Sequence, residues 1–280
     1  VRTLEPTGDT LVLLHGFTGS SAAWPDQIVE DLSENRRVVA VDLPGHGASH
    51  YGTGSVLDVV TSSSPGRARV VLPLVEGRTF TDVVDLLVAH LGTQDIVRAD
   101  WIGYSMGGRL ALAAAVRHPD RVRRLVLESA SPGLETDAER SLRVAEDEEL
   151  ACQIEERGID WFVTHWEALP MFATQATLPR EVREAATAGR LACDPKGLAG
   201  ALRALGVGTQ PSYWADLKKL TTPTLLVTGT LDPKFVEIAL RMRRVMPSAE
   251  HLPVPGVGHT VHLEAPTAWL GAVTRFLDRE

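Results

Sequence analysis

With 280 residues, 44% of them hydrophobic, the chain is long enough for one large core with a modest insertion and short for two independent domains. A net charge of −8, with no basic tract carrying interleaved aromatics, argues against nucleic acid as a partner while leaving room for a locally basic pocket that takes a small anion. No apolar run reaches the roughly 18 residues of a membrane span, and no basic stretch leads an apolar segment at the N-terminus, which predicts a soluble, intracellular protein with no membrane partner.

The first strand-like run, Thr10–Leu14, ends in His15-Gly16-Phe17. A second, at 37–41, enters the glycine–proline turn Asp42–Ser49, where His46 reads as a structural loop residue. Residues 50–67, rich in Ser, Gly and Thr, read as a flexible excursion, and Arg69–Val75 as a short extended segment. Strands at 96–102 and 124–128 flank Gly103-Tyr104-Ser105-Met106-Gly107 and an alanine-rich buried helix over Gly108–Val116. From Gly133 to about Leu220 the strands stop: Ala138–Glu156 is charged and amphipathic, Trp161–Trp166 is aromatic, and 181–191 and 197–205 are further helix candidates. Strands resume at 224–228 and 251–254. This alternation predicts an α/β protein with a mostly parallel, doubly wound sheet: a core over 1–132 and 221–280 and an inserted helical cap over 133–220. Cys152 and Cys193 lie far apart without metal-type spacing, so both read as plain thiols, with no metal implied.

The chemistry is concentrated at Gly103–Gly107. A strand turning sharply into a helix forces its pivot into a strained conformation and needs small residues two positions to either side. Ser105 is that pivot, with its hydroxyl exposed above the sheet. The same arrangement requires an acid and then a histidine downstream, each in a loop after a strand. Asp232 follows the run 224–229, and His259 sits in the glycine-rich loop after 251–254. Asp232 would hold the tautomer of His259, and His259 would exchange a proton with Ser105. The backbone N–H groups of Met106 and Phe17 are the candidate oxyanion donors. Four such features in this order identify an α/β-hydrolase fold.

A narrower resemblance rests on Leu14–Gly19, Asp42–Gly47, Gly103–Arg109, Ser131–Leu134, Gln210-Pro211, Asp232–Phe235 and Gly258–His262. Together they resemble the 2-succinyl-6-hydroxy-2,4-cyclohexadiene-1-carboxylate synthase (MenH) family of menaquinone and phylloquinone biosynthesis, Arg109, the Pro132-Gly133-Leu134 opening of the cap and Lys234-Phe235 being the more diagnostic parts. The resemblance implies a cofactor-free lyase that eliminates pyruvate from 2-succinyl-5-enolpyruvyl-6-hydroxy-3-cyclohexene-1-carboxylate, a tricarboxylate, with Ser105 acting as base. It also implies that Arg109, Arg143, Trp166 and Arg190 line the pocket, with Tyr104 a further candidate. Planar guanidinium groups suit carboxylates, and such charge-assisted bonds are worth ~1.5–3 kcal/mol each. Arg109 also has a physical argument of its own: it stands one turn after Ser105 at the buried positive end of a helix, where a bound carboxylate would relieve an unpaired cation.

The long 50–78 stretch, Pro233 where bacterial relatives often carry serine, and the phrase Gly158–Phe162 look closer to the domain that plants and algae carry fused to other enzymes of the pathway. The chain opens at Val1 with only a short lead before the first strand, which a trimmed terminus and a domain cut from a longer polypeptide would explain equally. The setting is then cytoplasmic for a bacterial chain and plastid for a fused plant or algal one. Two other readings use the same residues: a serine carboxylesterase or carbon–carbon bond hydrolase, and a ligand receptor on this fold. Cap arginines facing Ser105 would favour the lyase, and an apolar pocket the esterase.

Overall fold

The computed structural model describes residues 9–49, 59–61, 67–72 and 77–279. Its strands are β1 (Thr10–Leu14), β2 (Arg37–Asp42), β3 (Val59–Thr61), β4 (Arg67–Val71), β5 (Ala99–Tyr104), β6 (Val122–Glu128), β7 (Thr224–Gly229) and β8 (Ala249–Val254). They form one sheet in the order β3-β4-β2-β1-β5-β6-β7-β8, parallel throughout except for the antiparallel edge pair β3–β4. The chain runs outward from β1 on one side, then returns to lay β5 against β1 and runs outward on the other. The crevice at that reversal is where an open α/β sheet takes its ligand.

Apolar residues on alternate sides of the strands bind helices to both faces. Helices α2 (Phe80–Thr93), α3 (Met106–Arg117) and α7 (Pro233–Val245) cover one face through Phe80, Leu87, Leu110, Ala113 and Met242. On the other, α1 (Asp26–Ser33) and α9 (Pro266–Leu277) pack Ile28, Leu32, Trp269 and Phe276 over Leu11, Leu13 and Ile102. The short α8 (Val261–Glu264) precedes α9. Between β6 and β7 the chain builds α4 (Asp137–Glu167), α5 (Arg180–Leu191) and α6 (Pro195–Leu205), of which α4 and α6 share a separate apolar cluster including Ile154, Phe162, Leu198 and Leu202.

Local chemistry sets the boundaries. The strand expected over 96–102 begins at Ala99, because Asp95 takes φ +61° and Ile96 N–H still bonds Leu91 O, so 95–96 are turning out of α2. The amphipathic and aromatic segments of the insertion form one run, broken at Gly158, where φ +80° and ψ −178° leave the helix. The stretch 50–67, expected to be a flexible excursion, contains the edge strand β3 and the first residue of β4; residues 50–58 and 62–66 lie outside the described residues. The extended segment expected over 69–75 is β4, with 73–75 outside the described residues.

Gly107 shows how tightly α3 is set against the sheet: a Cβ there would stand 2.5 Å from His15 O. Helix propensity alone makes Gly107→Ala stabilising by about 1 kcal/mol. The clash with backbone reverses the sign, so we expect Gly107→Ala to destabilise the fold by about 2 kcal/mol or more in urea unfolding. A variant as stable as the parent would show that α3 can lift without cost.

Candidate active site

Ser105 occupies the single residue between β5 and α3, at φ +50° and ψ −108°, a conformation that L-residues other than glycine seldom adopt. Ser105 N–H donates to Glu128 O at 2.8 Å and Ser105 O accepts from Arg109 N–H, so the pivot is held from both sides. A Cβ at 103 would come within 2.5 Å of Gly107 O, which accounts for the glycine there. His259 Nε2 lies 3.1 Å from Ser105 Oγ, and His259 Nδ1 lies 2.6 Å from Asp232 Oδ2. The structure therefore brings together the three residues that the sequence singles out. Asp232 has a second task, since its Oδ1 faces Phe235 N–H at the start of α7. His259 is 1% exposed and is packed by the rings of Phe235 and Tyr104, 4.7 and 5.5 Å away centroid to centroid. Ser129 was not singled out by the sequence. It takes φ +47° after β6, and its hydroxyl donates to His259 O at 2.8 Å, fixing the loop that carries the imidazole. A lone serine after a strand gives no signal of this.

Phe17 and Met106 stand beside Ser105 at the edge of an open space, and neither backbone N–H donates to a protein group among the described residues. Two buried histidines shape the Phe17 loop. His46 Nδ1 donates to Pro44 O at 3.0 Å, while its Nε2 accepts from Thr18 N–H at 3.2 Å. His15 Nδ1 donates to Gly16 O at 2.7 Å and its Nε2 accepts from Leu43 N–H at 3.1 Å. Each ring is thus used as the neutral tautomer and ties the loop after β1 to the loop after β2. Burial pushes His15 down to about 4 and, with His15 beside it, His46 down to about 3, against the weaker pull of Asp42.

A cavity of about 320 Å³ opens over Ser105. Phe17, Trp166, Phe172, Trp214 and Phe235 give it apolar walls, and Tyr104, Arg109, Arg143, Lys234 and Arg241 also line it. Trp166 packs its ring 5.3 Å from Phe17. Tyr104 presents its ring, but its hydroxyl is 2.8 Å from Thr260 Oγ1, and burial holds the phenol protonated well above its ordinary pKa.

Arg109 is not the unpartnered cation expected: it donates to Leu205 O at 2.7 Å and to Gly206 O and Gln210 Oε1 at 3.3 Å each. These acceptors are formally neutral, so its charge has no carboxylate in contact. Burial brings its pKa down to about 10, and it stays protonated. Arg143 pairs with Asp147 at 2.9 Å. Arg190 does not line the cavity, contrary to expectation, because Glu167 at the end of α4 captures it at 2.7 Å and Gln175 Oε1 accepts from it at 3.1 Å. The sequence pointed to neither Arg241, stacked 4.2 Å over Trp214 and paired with Glu135 at 2.7 Å, nor Lys234 as a lining charge, although Lys234 belongs to the phrase following the acid. No group of His, Cys, Asp and Glu able to hold a metal occurs among the described residues.

The profile of the α/β hydrolase fold family matches residues 9–266. A Bacillus subtilis protein provisionally named 2-succinyl-6-hydroxy-2,4-cyclohexadiene-1-carboxylate synthase is 37% identical over 96% of this chain and 90% of its own. The solved structure of MenH from S. aureus superposes with a TM-score of 0.85 at 31% identity, covering 99% of this chain and 96% of that one. The chain belongs to the α/β-hydrolase family, in its MenH branch. The chloroplastic protein PHYLLO of Arabidopsis thaliana is 30% identical over 97% of this chain, which spans 15% of that longer protein. No helix among the described residues is long and apolar enough to cross a membrane.

In this MenH-branch chain the His15–His46 brace has a consequence in acid. The folded state keeps both rings neutral down to about 4 and about 3, whereas an unfolded chain protonates them near the ordinary value of 6.5. Their contribution to stability is therefore complete above pH ~6.5 and declines as pH falls from there towards the folded values, by up to ~1.4 kcal/mol per pH unit for each ring. His46→Gln should be less stable at pH 7.5 but lose stability less steeply between pH 6.5 and 4, as read by urea unfolding. An unchanged slope would remove His46 from the account.

Proposed function

We propose that Ser105, His259 and Asp232 carry out the elimination of pyruvate from 2-succinyl-5-enolpyruvyl-6-hydroxy-3-cyclohexene-1-carboxylate, giving 2-succinyl-6-hydroxy-2,4-cyclohexadiene-1-carboxylate, the activity of the MenH branch. The observation that carries this reading is a relayed serine opening onto a cavity whose four cationic side chains, Arg109, Arg143, Lys234 and Arg241, outnumber its two carboxylates, Glu135 and Glu139. The substrate is a small tricarboxylate. In this reading residues 133–220 act as a cap over the core formed by 1–132 and 221–280, and contribute Arg143 and Trp166 to the pocket.

His259, oriented by Asp232, takes the Ser105 proton, and the serine oxygen removes a ring proton from the substrate. The electron pair released forms the new ring double bond as the carbon–oxygen bond to the enolpyruvyl group breaks. The departing enolate is protonated to pyruvate. Phe17 and Met106 N–H groups would stabilise negative charge developing on the substrate. No metal or organic cofactor enters this scheme. The setting is cytoplasmic for a bacterial host; as part of a fused protein like PHYLLO it would be plastidial.

The esterase reading makes opposite demands. A neutral ester offers nothing to compensate desolvation of the lining charges. Incubation with the enolpyruvyl substrate should release stoichiometric pyruvate and a conjugated diene, with no mass increment on Ser105 and feeble hydrolysis of p-nitrophenyl esters. Ser105→Ala should lose several orders of magnitude in rate while keeping the fold. Efficient ester hydrolysis through an acyl-enzyme, without pyruvate, would move the chain to the esterases.

Arg143→Ala should lower kcat/KM by ~2–4 kcal/mol of transition-state binding, with Arg143→Lys recovering part of it. Steady-state kinetics showing indifference to both changes would exclude Arg143 from substrate binding.

A further inference from the structure

Asp147 is 4% exposed, on α4 one turn after Arg143, and is absent from the motifs read in the sequence. Its Oδ1 accepts from Arg143 Nε at 2.9 Å. Its Oδ2 is enclosed and has no hydrogen-bond partner. The carboxylate lies so close to Gly206 that a side chain there would meet it, and Gly206 O in turn accepts from Arg109. The acid thus sits behind the cavity wall, between two arginines that both line it.

Leaving one oxygen of a buried carboxylate bare is costly, so the arrangement calls for a reason beyond packing. The contact itself supplies one. A guanidinium has an end-on edge made by its two terminal nitrogens, and that edge matches a carboxylate bidentately. Asp147 engages Arg143 through Nε, and the terminal nitrogens of Arg143 have no partner among the described residues. We infer that Asp147 is a positioning residue, which holds Arg143 by Nε and keeps its end-on edge for one carboxylate of the substrate. This rests on the elimination reading above. Arg109 senses the same acid, since Arg143 pushes its pKa down and Asp147 pushes it up.

A purely charge-balancing acid would behave differently. Removing it would leave the wall more positive and bind an anionic substrate at least as tightly. A positioning acid should instead give a graded loss, because Asn still offers Nε an acceptor and Ala offers none. With pyruvate release as the assay, Asp147→Asn should raise KM about threefold and Asp147→Ala about tenfold, with kcat within about twofold, since Arg143 binds substrate and transition state alike. In an Arg143→Ala background neither change should raise KM further, a non-additivity that a distant structural effect would not produce. Should Asp147→Ala fail to fold, Asp147→Asn and its cycle with Arg143→Ala carry the test. KM unchanged or lowered in the folded variants, or effects that add to those of Arg143→Ala, overturn the inference while leaving the elimination intact. A wild type that releases no pyruvate overturns both.

Discussion

Backbone strain at Ser105 is the constraint on which the site depends. A serine at φ +50° between a strand and a helix is unfavourable by itself, and it persists because its surroundings leave no alternative. β5 is held between β1 and β6, α3 presses its first turn onto the end of β1, and Ser105 N–H is committed to Glu128 O on β6. Relaxing the turn would break these contacts together. Glycines at 103 and 107 are thus a packing requirement, and the geometry at Ser105 is a by-product of how closely the sheet and α3 approach.

From that fixed point the rest of the site is assembled by strand order. β6 contributes Ser129, β7 delivers Asp232 and β8 leads to His259, each at a carboxyl end on the same side of the sheet. On the other flank β1 delivers Phe17, and its loop is tied to the β2 loop by two neutral imidazoles rather than by an ion pair. Deep burial suits the neutral tautomers, which spend both ring nitrogens on backbone groups.

The elbow, the acid and the histidine were legible because each is a local pattern: a serine between glycines, and turn residues after apolar runs. The strand alternation gave the sheet for the same reason. Contacts between segments distant in sequence were not legible. Glu167 draws Arg190 away from the cavity although 23 positions separate them, and a charge pattern read along one helix cannot show a partner on another. Arg241 reaches the cavity from α7 by stacking on Trp214, a juxtaposition that neither stretch announces. Ser129 acts through an unusual backbone angle, which composition does not encode. The edge strand β3 escaped because its Ser-, Gly- and Thr-rich flanks dominate the window around it.

Arg109 joins the two parts of the molecule more directly than a substrate contact alone would. It rises from α3, one turn beyond the strained serine, and its terminal nitrogens hold the carbonyls of Leu205 and Gly206 at the end of α6. It also donates to Gln210 Oε1, while Gln210 Nε2 donates to Ser131 O at 3.2 Å, where the chain leaves the sheet for the insertion. The way out and the way back are thereby fastened to the helix that follows Ser105. A second polar seam runs from Tyr104 through Thr260 and Gln175 to Arg190 and Glu167, fastening the opposite side of the insertion to the residue next to His259. Both seams end within one residue or one turn of Ser105 or His259. The height of the insertion over Ser105, and with it the reach of Arg143 into the cavity, is therefore set by the same helix and loop that hold Ser105 and His259. The pocket wall and the contacts among Ser105, His259 and Asp232 are mechanically one object here, so an insertion that shifted would disturb the serine's neighbours as well as the wall.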